Sequence, residues 1–343
     1  MFQKLFDRRE YRSAMTSILC GAVALLFVVA FPGFARAETI RIGFVKVPGY
    51  GPVFIAREKG YFADEGLTAS LVPFEGAQPV AVAVAAGDID FGVAGPSAGL
   101  FNLGGQGRLR IIAGMIREAA GFQNQAFVAS NRAYEAGLTS YKDIAGHSFA
   151  ITQMGGPSHY SLVLLAEKYG ADLKSIRVLP LQSLPNAVSA VVGGQADASV
   201  ISASVVAPSL RRADMKLIGW IGEEIPWQIG VAFTSARTAG EKSTTVERFL
   251  RAIRNGTRDY HDTFTGPGEV RKDGPKASEI LAIISKYVDE PPESINVPYV
   301  DADARLDVND ILHQINWFRA QGLVKSEFEG ESIIDKRYVI PLP

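Results

Sequence analysis

Two short glycine-containing segments carry residue types that either attack or bind a small molecule. Residues 95–99, GPSAG, match the G-x-S-x-G pattern, in which a serine on a strand-to-helix turn is a hydrolase nucleophile. Residues 155–160, GGPSHY, follow a predicted strand and open a predicted helix. Glycines let a backbone approach a ligand closely, and the free N–H groups at a helix start favour an anion. The first segment therefore predicts acyl transfer or solute binding, and the second predicts solute binding.

The hydrolase interpretation depends on Ser97 being a nucleophile. The sequence has no HGGG-type oxyanion loop, and Pro96 stands directly before the serine, inside the strained turn that a nucleophile needs. None of the four histidines has a distinctive acidic partner. We therefore favour Ser97 as the N-cap of a helix whose first N–H groups face a cleft. A secreted serine hydrolase that uses Ser97 is the alternative.

The second segment also has a purely structural interpretation. Ser158 has the residue type that caps a helix, so residues 155–160 could form an ordinary turn between a strand and a helix. His159 adds little evidence for ligand binding, because a packed or surface histidine is commoner than one that contacts a ligand. Both interpretations place Ser158 at the start of a helix.

The first segment belongs to a pattern that occurs twice. Residues 76–100 and residues 183–207 each predict a helix opened by a proline, a glycine turn, a short strand and a serine at the next helix start. Two copies are too few for a solenoid. We therefore expect two similar α/β lobes that face one another.

The rest of the chain supplies the elements that hold these segments. Helices alternate with strands on both sides of residue 130, which predicts mainly parallel sheets. Two similar apolar strands, residues 125–130 and 229–235, are interpreted as the crossings between lobes. Amphipathic helical spacing recurs around residues 246–253 and 308–315. The predicted organisation is a signal peptide (1–37), lobe one (38–125), lobe two (126–232) and a return to lobe one with C-terminal helices (233–343).

The first 37 residues have the order of a secretory signal peptide. A basic stretch over residues 4–12 precedes an almost wholly apolar run over residues 14–31, and residues 35–37, ARA, form a small-x-small cleavage site. We therefore expect export to the periplasm and cleavage between Ala37 and Glu38. An uncleaved anchor is the alternative, because an apolar run of this length just suffices to span a bilayer.

The composition excludes several kinds of site. The chain has 35 Lys and Arg against 36 Asp and Glu, with no basic stripe, so nucleic acid is not an expected partner. Its single cysteine, Cys20, lies in the signal segment, so the exported chain has no disulfide, thiol nucleophile or cysteine-ligated metal. No histidine pair has zinc-ligand spacing. The sequence predicts neither a metal nor a cofactor.

Several motifs in order resemble one family. They are RIGF at 41–44, PVFIAREKGYFADEGL at 52–67, AAGDIDFGV at 85–93, GPSHY at 156–160 and LLAEKYG at 164–170. Together they resemble the substrate-binding proteins of nitrate/sulfonate/taurine-type ABC importers, which are related to the NMT1/THI5-like proteins. The resemblance extends from Thr39 to Arg258, and the remainder is similar only in its helical pattern.

The resemblance implies a fold and a function. The fold is α/β, the periplasmic binding protein fold of the second type, with two lobes joined by two crossing strands and the ligand between them. The function is capture of a small anion of sulfonate, taurine, nitrate, bicarbonate or carboxylate type. The partners are an ABC permease and its ATPase, and the protein is a monomer. A ligand-sensing domain without transport shares the fold and is a further alternative.

The resemblance also maps ligand loops onto this chain. One departure is Gly155-Gly156, where family members often carry Gly-Ser, so one anion-binding hydroxyl is missing. Glu75 and Glu118 would oppose a bare anion, which leaves a zwitterion or an anion with a polar tail open. The candidate ligand-binding residues are Lys46, Tyr50, Phe74, Glu75, Ser97, Arg117, Gly155, Gly156, Ser158, His159, Ser202 and Ser204.

Overall fold

The computed structural model describes residues 37–325 and 327–343, so the predicted signal peptide lies outside the described residues except for Ala37. The strands are β1 Glu38–Val45, β2 Leu67–Phe74, β3 Phe91–Ala94, β4 Leu109–Gly114, β5 Ile116–Glu118, β6 Gln125–Ser130, β7 Ser148–Ile151, β8 Arg177–Pro180, β9 Ala198–Ser202, β10 Met215–Trp220, β11 Trp227–Gln228, β12 Val231–Ser235 and β13 Tyr299–Val300.

Helices separate most of the strands before β12 and dominate the chain after it. They are α1 Gly51–Glu58, α2 Tyr61–Asp64, α3 Ala77–Ala86, α4 Ala98–Gly105, α5 Asn131–Glu135, α6 Pro157–Tyr169, α7 Leu184–Val192, α8 Ala203–Arg211, α9 Ile221–Glu224, α10 Ala236–Glu241, α11 Ser243–Phe264, α12 Ala277–Val288 and α13 Val308–Ala320. None of the helices in the described part of the chain has the length and apolar character that crossing a membrane requires.

Two five-stranded sheets have the same topology. The first has the order β2-β1-β3-β12-β4 and the second, read from the corresponding edge, β8-β7-β9-β6-β10. In each sheet the first three strands are parallel, and the fourth runs antiparallel to both of its neighbours. The repeat seen in the sequence is therefore a repeat of the whole sheet, with α3 and β3 of the first lobe matching α7 and β9 of the second.

The two strands interpreted as crossings lie inside sheets. β6 pairs along its whole length within the second sheet, and β12 pairs along its whole length within the first. The chain passes between lobes just before each of them, in residues 115–124 and 225–230. Both strands are apolar because they are interior strands of a sheet, which explains why they look alike in sequence. The lobe boundaries set at residues 125 and 232 stay predictions.

A small third sheet lies in the passages between lobes. Its order is β11-β5-β13, so both crossing segments and the C-terminal third of the chain meet there. Each outer strand has only two residues. Runs this short carry no periodicity, and the sequence therefore did not predict them.

The aspartate of each repeat fastens two strands together. Asp90 Oδ2 accepts a hydrogen bond from the backbone N–H of Arg41 on β1 at 2.7 Å. In the second lobe Asp197 Oδ2 accepts from the backbone N–H of Ser148 on β7 at 2.9 Å. Asp90 directly precedes β3 and Asp197 directly precedes β9, and each of these is the middle strand of its five-stranded sheet. The aspartate of the repeat therefore has a structural role.

The long C-terminal helices cover the first lobe and brace the second. On α11, Phe249 stacks on Phe91 of β3 with ring centroids 3.9 Å apart. On α13, Phe318 packs against Phe101 of the first lobe at 5.9 Å and Tyr160 of the second at 5.7 Å. Helix α13 therefore contacts both lobes on the side where the chain crosses between them.

Candidate functional site

A cavity of about 90 Å³ lies between the two large sheets. It sits at the carboxyl ends of the parallel strands of both lobes, the place where open α/β sheets bind ligands. The residues that line it are Val45, Val47, Tyr50, Glu75, Gly76, Ala77, Gly95, Ile116, Asn124, Gln125, Thr152, Gln153, Pro157, Ser158, Leu184, Ser202 and Ile229. Both lobes and both crossing segments thus contribute to one cavity.

Three helices begin at the cavity without a side-chain cap. They are α3 after Gly76, α6 after Gly156 and α8 after Ser202. The first N–H groups of a helix have no partner within the helix, and the helix dipole places positive charge there. Pro157 at the start of α6 has no N–H, and the Ala203 N–H at the start of α8 donates to the Asn124 carbonyl oxygen at 2.7 Å. The N–H groups that follow these two residues, together with those at the start of α3, offer the cavity backbone donors suited to an anionic group.

Tyr50 is a buried residue of the cavity wall that carries a hydroxyl group. Only 2% of the residue is exposed, it lines the cavity, and its hydroxyl has no hydrogen-bond partner among the described residues. Burial raises the pKa of this phenol far above its ordinary value, so the hydroxyl keeps its proton. Tyr50 can therefore donate or accept one hydrogen bond to a solute.

Two adjacent amides line the cavity in opposite orientations. Gln125 Oε1 accepts a hydrogen bond from the Ser161 hydroxyl at 2.7 Å, which leaves its Nε2 as the remaining polar atom. Asn124 Nδ2 donates to Glu118 Oε1 at 2.6 Å, which leaves its Oδ1. Both residues are nearly buried, with 5% and 6% of their surface exposed. The pair can offer a solute one donor and one acceptor.

Four of the predicted ligand residues line the cavity, namely Tyr50, Glu75, Ser158 and Ser202. Ser158 is buried at the start of α6, and its hydroxyl has no partner among the described residues. The Ser202 hydroxyl lies 3.1 Å from that of Ser204, which is buried behind it. Glu75 is exposed at the rim.

The two glycines and His159 build the loop rather than line the cavity. Gly155 has φ of +69°, a conformation that favours glycine. Its N–H donates to His159 Nδ1 at 3.0 Å, and its carbonyl accepts from Ala98 N across the cleft at 2.8 Å. Burial lowers the pKa of His159 to about 4, so its imidazole is neutral and can accept this bond. Gly156 is the residue before the first turn of α6.

The remaining predicted residues are engaged elsewhere. Lys46 Nζ lies 2.6 Å from Asp289 Oδ2, and Arg117 lies 3.4 Å from Asp307. The Ser97 hydroxyl caps α4 by accepting from Leu100 N at 3.2 Å, and the residue is completely buried. Phe74 ends β2 with its ring against Gly43. None of these four lines the cavity, and a direct role for them in binding stays a prediction.

Sequence reasoning missed Asn124, Gln125 and Thr152. The signal for the first two was present, because two amides stand at the entry to an otherwise apolar strand. Their value as ligand contacts depends on Glu118 and Ser161, which orient them. The described residues contain no group of three or more His, Cys, Asp or Glu side chains that could hold a metal ion.

Comparisons with solved structures establish the fold. The alkanesulfonate-binding protein SsuA of Xanthomonas axonopodis, bound to MOPS, superposes with a TM-score of 0.68 and 18% identity, over 88% of this chain and 99% of that one. The periplasmic nitrate-binding protein NrtA of Synechocystis gives 0.66 and 14%, over 87% and 85%. A desulfurization enzyme, DSZB, gives 0.59 and 12%, over 89% and 96%. The predicted periplasmic binding protein fold is confirmed.

Comparisons of sequence establish the family. A binding protein of Brucella abortus is 27% identical over 222 residues, which is 64% of this chain and 61% of the length of that relative. The family described as NMT1/THI5 like matches residues 47–263. Because this match extends over more than half of the sequence, the chain belongs to the NMT1/THI5-like family.

Proposed function

We propose that this protein is the solute-binding component of an ABC importer, which captures a small solute bearing an anionic group and delivers it to a permease and its ATPase. The observation that carries the proposal is the cavity lined by both lobes at the carboxyl ends of their strands. A solute held there contacts both lobes at once, so binding stabilises the closed arrangement.

The anionic group would be held by uncharged donors. The starts of α3, α6 and α8 supply backbone N–H groups, and Ser158 and Gln125 add a hydroxyl and an amide nitrogen. Donors fixed in a buried cavity bind charge without the cost of ordering long cationic side chains. Uncharged donors of this kind can bind a sulfonate or carboxylate group, the sulfonate of taurine, or a nitrate or bicarbonate ion.

Closure of the lobes would use the two crossing segments as the hinge. The lobes touch across the cleft through the Ala98–Gly155 hydrogen bond. A side chain at Gly95 would overlap Pro157 of the opposite lobe, so glycine permits this close approach. We place the hinge in residues 115–124 and 225–230, where the chain leaves one sheet and enters the other.

We assign the protein to the periplasm as a monomer, with cleavage between Ala37 and Glu38. The assignment depends on the signal-like order of residues 1–37 and on the periplasmic proteins that share the fold. Sequencing the amino terminus of the protein isolated from the periplasm tests it. An intact apolar run over residues 14–31 would contradict it.

The hydrolase alternative has little support from the geometry. Ser97 is completely buried, and its hydroxyl is hydrogen-bonded to the backbone of its own helix rather than to a histidine. An organophosphate that labels Ser97 would nevertheless establish the hydrolase. The sensing alternative predicts a solute that binds but is not imported.

The transport proposal is tested by uptake. Cells that lack this gene should lose high-affinity uptake of the solute that binds the purified protein most tightly, and reintroduction of the gene should restore it. Binding without any change in uptake would favour sensing.

A further inference from the structure

The cavity has one charged side chain, and that side chain is negative. Among the lining residues in the described part of the chain, Glu75 is a carboxylate and none is Lys, Arg or His. Lys46, which stands in the sequence between the lining residues Val45 and Val47, already pairs with Asp289 at 2.6 Å, and the attraction of Asp289 and then of Glu75 raises its pKa. The three groups together carry one net negative charge, so the rim repels a bare anion.

Asn124 supplies a second acceptor. Its Nδ2 is held by Glu118, so only Oδ1 is left for the cavity, and Oδ1 has no partner among the described residues. Asn124 is 6% exposed and lines the cavity, so Oδ1 is placed to accept a hydrogen bond from a solute N–H group. Two acceptors, Glu75 and Asn124, therefore line a cavity whose other polar groups are backbone N–H groups, hydroxyls and amides, all of which can donate.

The walls between these polar groups are apolar. Val45, Val47 and Leu184 line the cavity together with Ile116, Ile229 and Pro157. Apolar walls pack favourably against a carbon skeleton. They cannot replace the hydrogen bonds that an inorganic ion loses when it leaves water. A solute that satisfies every part of the cavity has polar groups of both kinds, joined by a small apolar body.

We infer that the solute is an organic zwitterion, or an anion with an N–H donor on its far end, in which Glu75 and Asn124 bind the cationic or donor group. The inference rests on the proposed function and narrows its substrate class. It assigns Glu75 as the residue that selects such solutes against nitrate, bicarbonate and simple alkyl anions.

Calorimetric titration of the purified protein with matched probes tests the inference. One pair is 3-aminopropanesulfonate and propanesulfonate, the other is 4-aminobutanoate and butanoate, and nitrate and bicarbonate are the bare anions. At least one amino compound should bind ten times or more as tightly as its partner. Glu75→Gln should reduce that ratio to below about threefold, and Glu135→Gln, at an exposed glutamate outside the cavity, should leave it unchanged.

The outcomes separate the inference from the proposed function. Tighter binding of nitrate, bicarbonate or the alkyl anions would overturn the inference and leave solute binding intact. A ratio that survives Glu75→Gln would overturn the role of Glu75. Failure of all six compounds to bind would count against both the substrate class and the proposed function.

Discussion

Oε1 of Glu118 lies 2.6 Å from Nδ2 of Asn124, and this bond decides which end of the amide faces the cavity. Glu118 is completely buried on β5, and its other oxygen has no partner among the described residues. Burial raises the pKa of this carboxyl group to about 8. Glu118 therefore keeps its proton at neutral pH.

This raised pKa makes stability depend on pH. In the unfolded chain the carboxyl group ionises near pH 4.5, whereas in the folded protein it ionises near pH 8. Between these values the folded state binds the extra proton, so the free energy of unfolding falls as pH rises, by at most about 1.4 kcal/mol per pH unit. Glu118→Gln removes this titration. The stability of the variant relative to wild type should therefore increase from pH 5 to pH 8.

Urea unfolding at pH 5, 6, 7 and 8 checks the expected slope. Glu118→Gln keeps an acceptor at Oε1, so Asn124 remains oriented and solute affinity should change by less than about threefold. A difference in stability that does not vary with pH would show that Glu118 ionises normally in the folded protein.

Gly95→Ala should weaken binding by holding the lobes apart. The added methyl group would overlap the side chain of Pro157 in the opposite lobe. Opening the cleft relieves the overlap, so the variant should fold but lose at least about tenfold in affinity, because closure is part of binding. Gly240→Ala is the matched control, because a side chain there meets open space.

Scattering measurements at saturating solute complete this test. Wild type and Gly240→Ala should reach the same reduced radius of gyration, and Gly95→Ala should stay larger. Equal affinity and equal radius in all three proteins would mean that the lobes do not approach each other as closely as this contact requires.

The sequence was sufficient for the fold because each sheet is built from local alternation of strands and helices. The repeat of residues 76–100 and 183–207 corresponds to equivalent parts of two equivalent sheets. The family resemblance also singled out Tyr50, Glu75, Ser158 and Ser202, which line the cavity, and their contact with a solute stays a prediction.

The site was harder to predict where distant residues decide the outcome. Lys46 is 243 positions away from Asp289, the residue that pairs with it, and no local sequence pattern indicates such a pair. Ser97 and Ser158 are both serines at helix starts, and only the packing of the lobes shows that one is sealed while the other lines the cavity. The orientation of Asn124 likewise depends on Glu118.

Asp90→Ala and Asp197→Ala should destabilise the protein without changing solute affinity. Each substitution leaves a backbone N–H without its acceptor, at Arg41 or at Ser148. The bond to Arg41 is exposed to solvent, so its loss should cost about 0.5–1.5 kcal/mol, whereas the bond to Ser148 is part-buried and its loss should cost about 1–3 kcal/mol. The two sites lie in different sheets, so the losses should add in the double variant.

Asp88→Ala is the control for the strand prediction, since Asp88 is exposed in the same turn as Asp90. Thermal unfolding should place it within about 0.5 kcal/mol of wild type. If Asp88→Ala and Asp90→Ala unfolded alike, the aspartate of the repeat would have a different role from the one assigned.

Ser97→Ala and Ser158→Ala should separate stability from binding. The Ser97 hydroxyl caps α4 at 3.2 Å from Leu100 N and is sealed from the cavity. Its loss should cost about 0.5–2 kcal/mol of stability and leave affinity unchanged. The Ser158 hydroxyl caps nothing, and Ser158 lines the cavity. Its loss should leave stability nearly unchanged and weaken the binding of an anionic group by about 1.5–3 kcal/mol, or roughly tenfold to a hundredfold.

Calorimetric titration and urea unfolding of both variants provide the measurement, with the tightest-binding probe of the matched series as the solute. The prediction requires opposite results, because each hydroxyl takes part in only one of the two processes. An affinity loss in Ser97→Ala would mean that the α4 start reaches the solute despite its burial. An unchanged affinity in Ser158→Ala would mean that the backbone donors of α6 hold the anionic group without the hydroxyl.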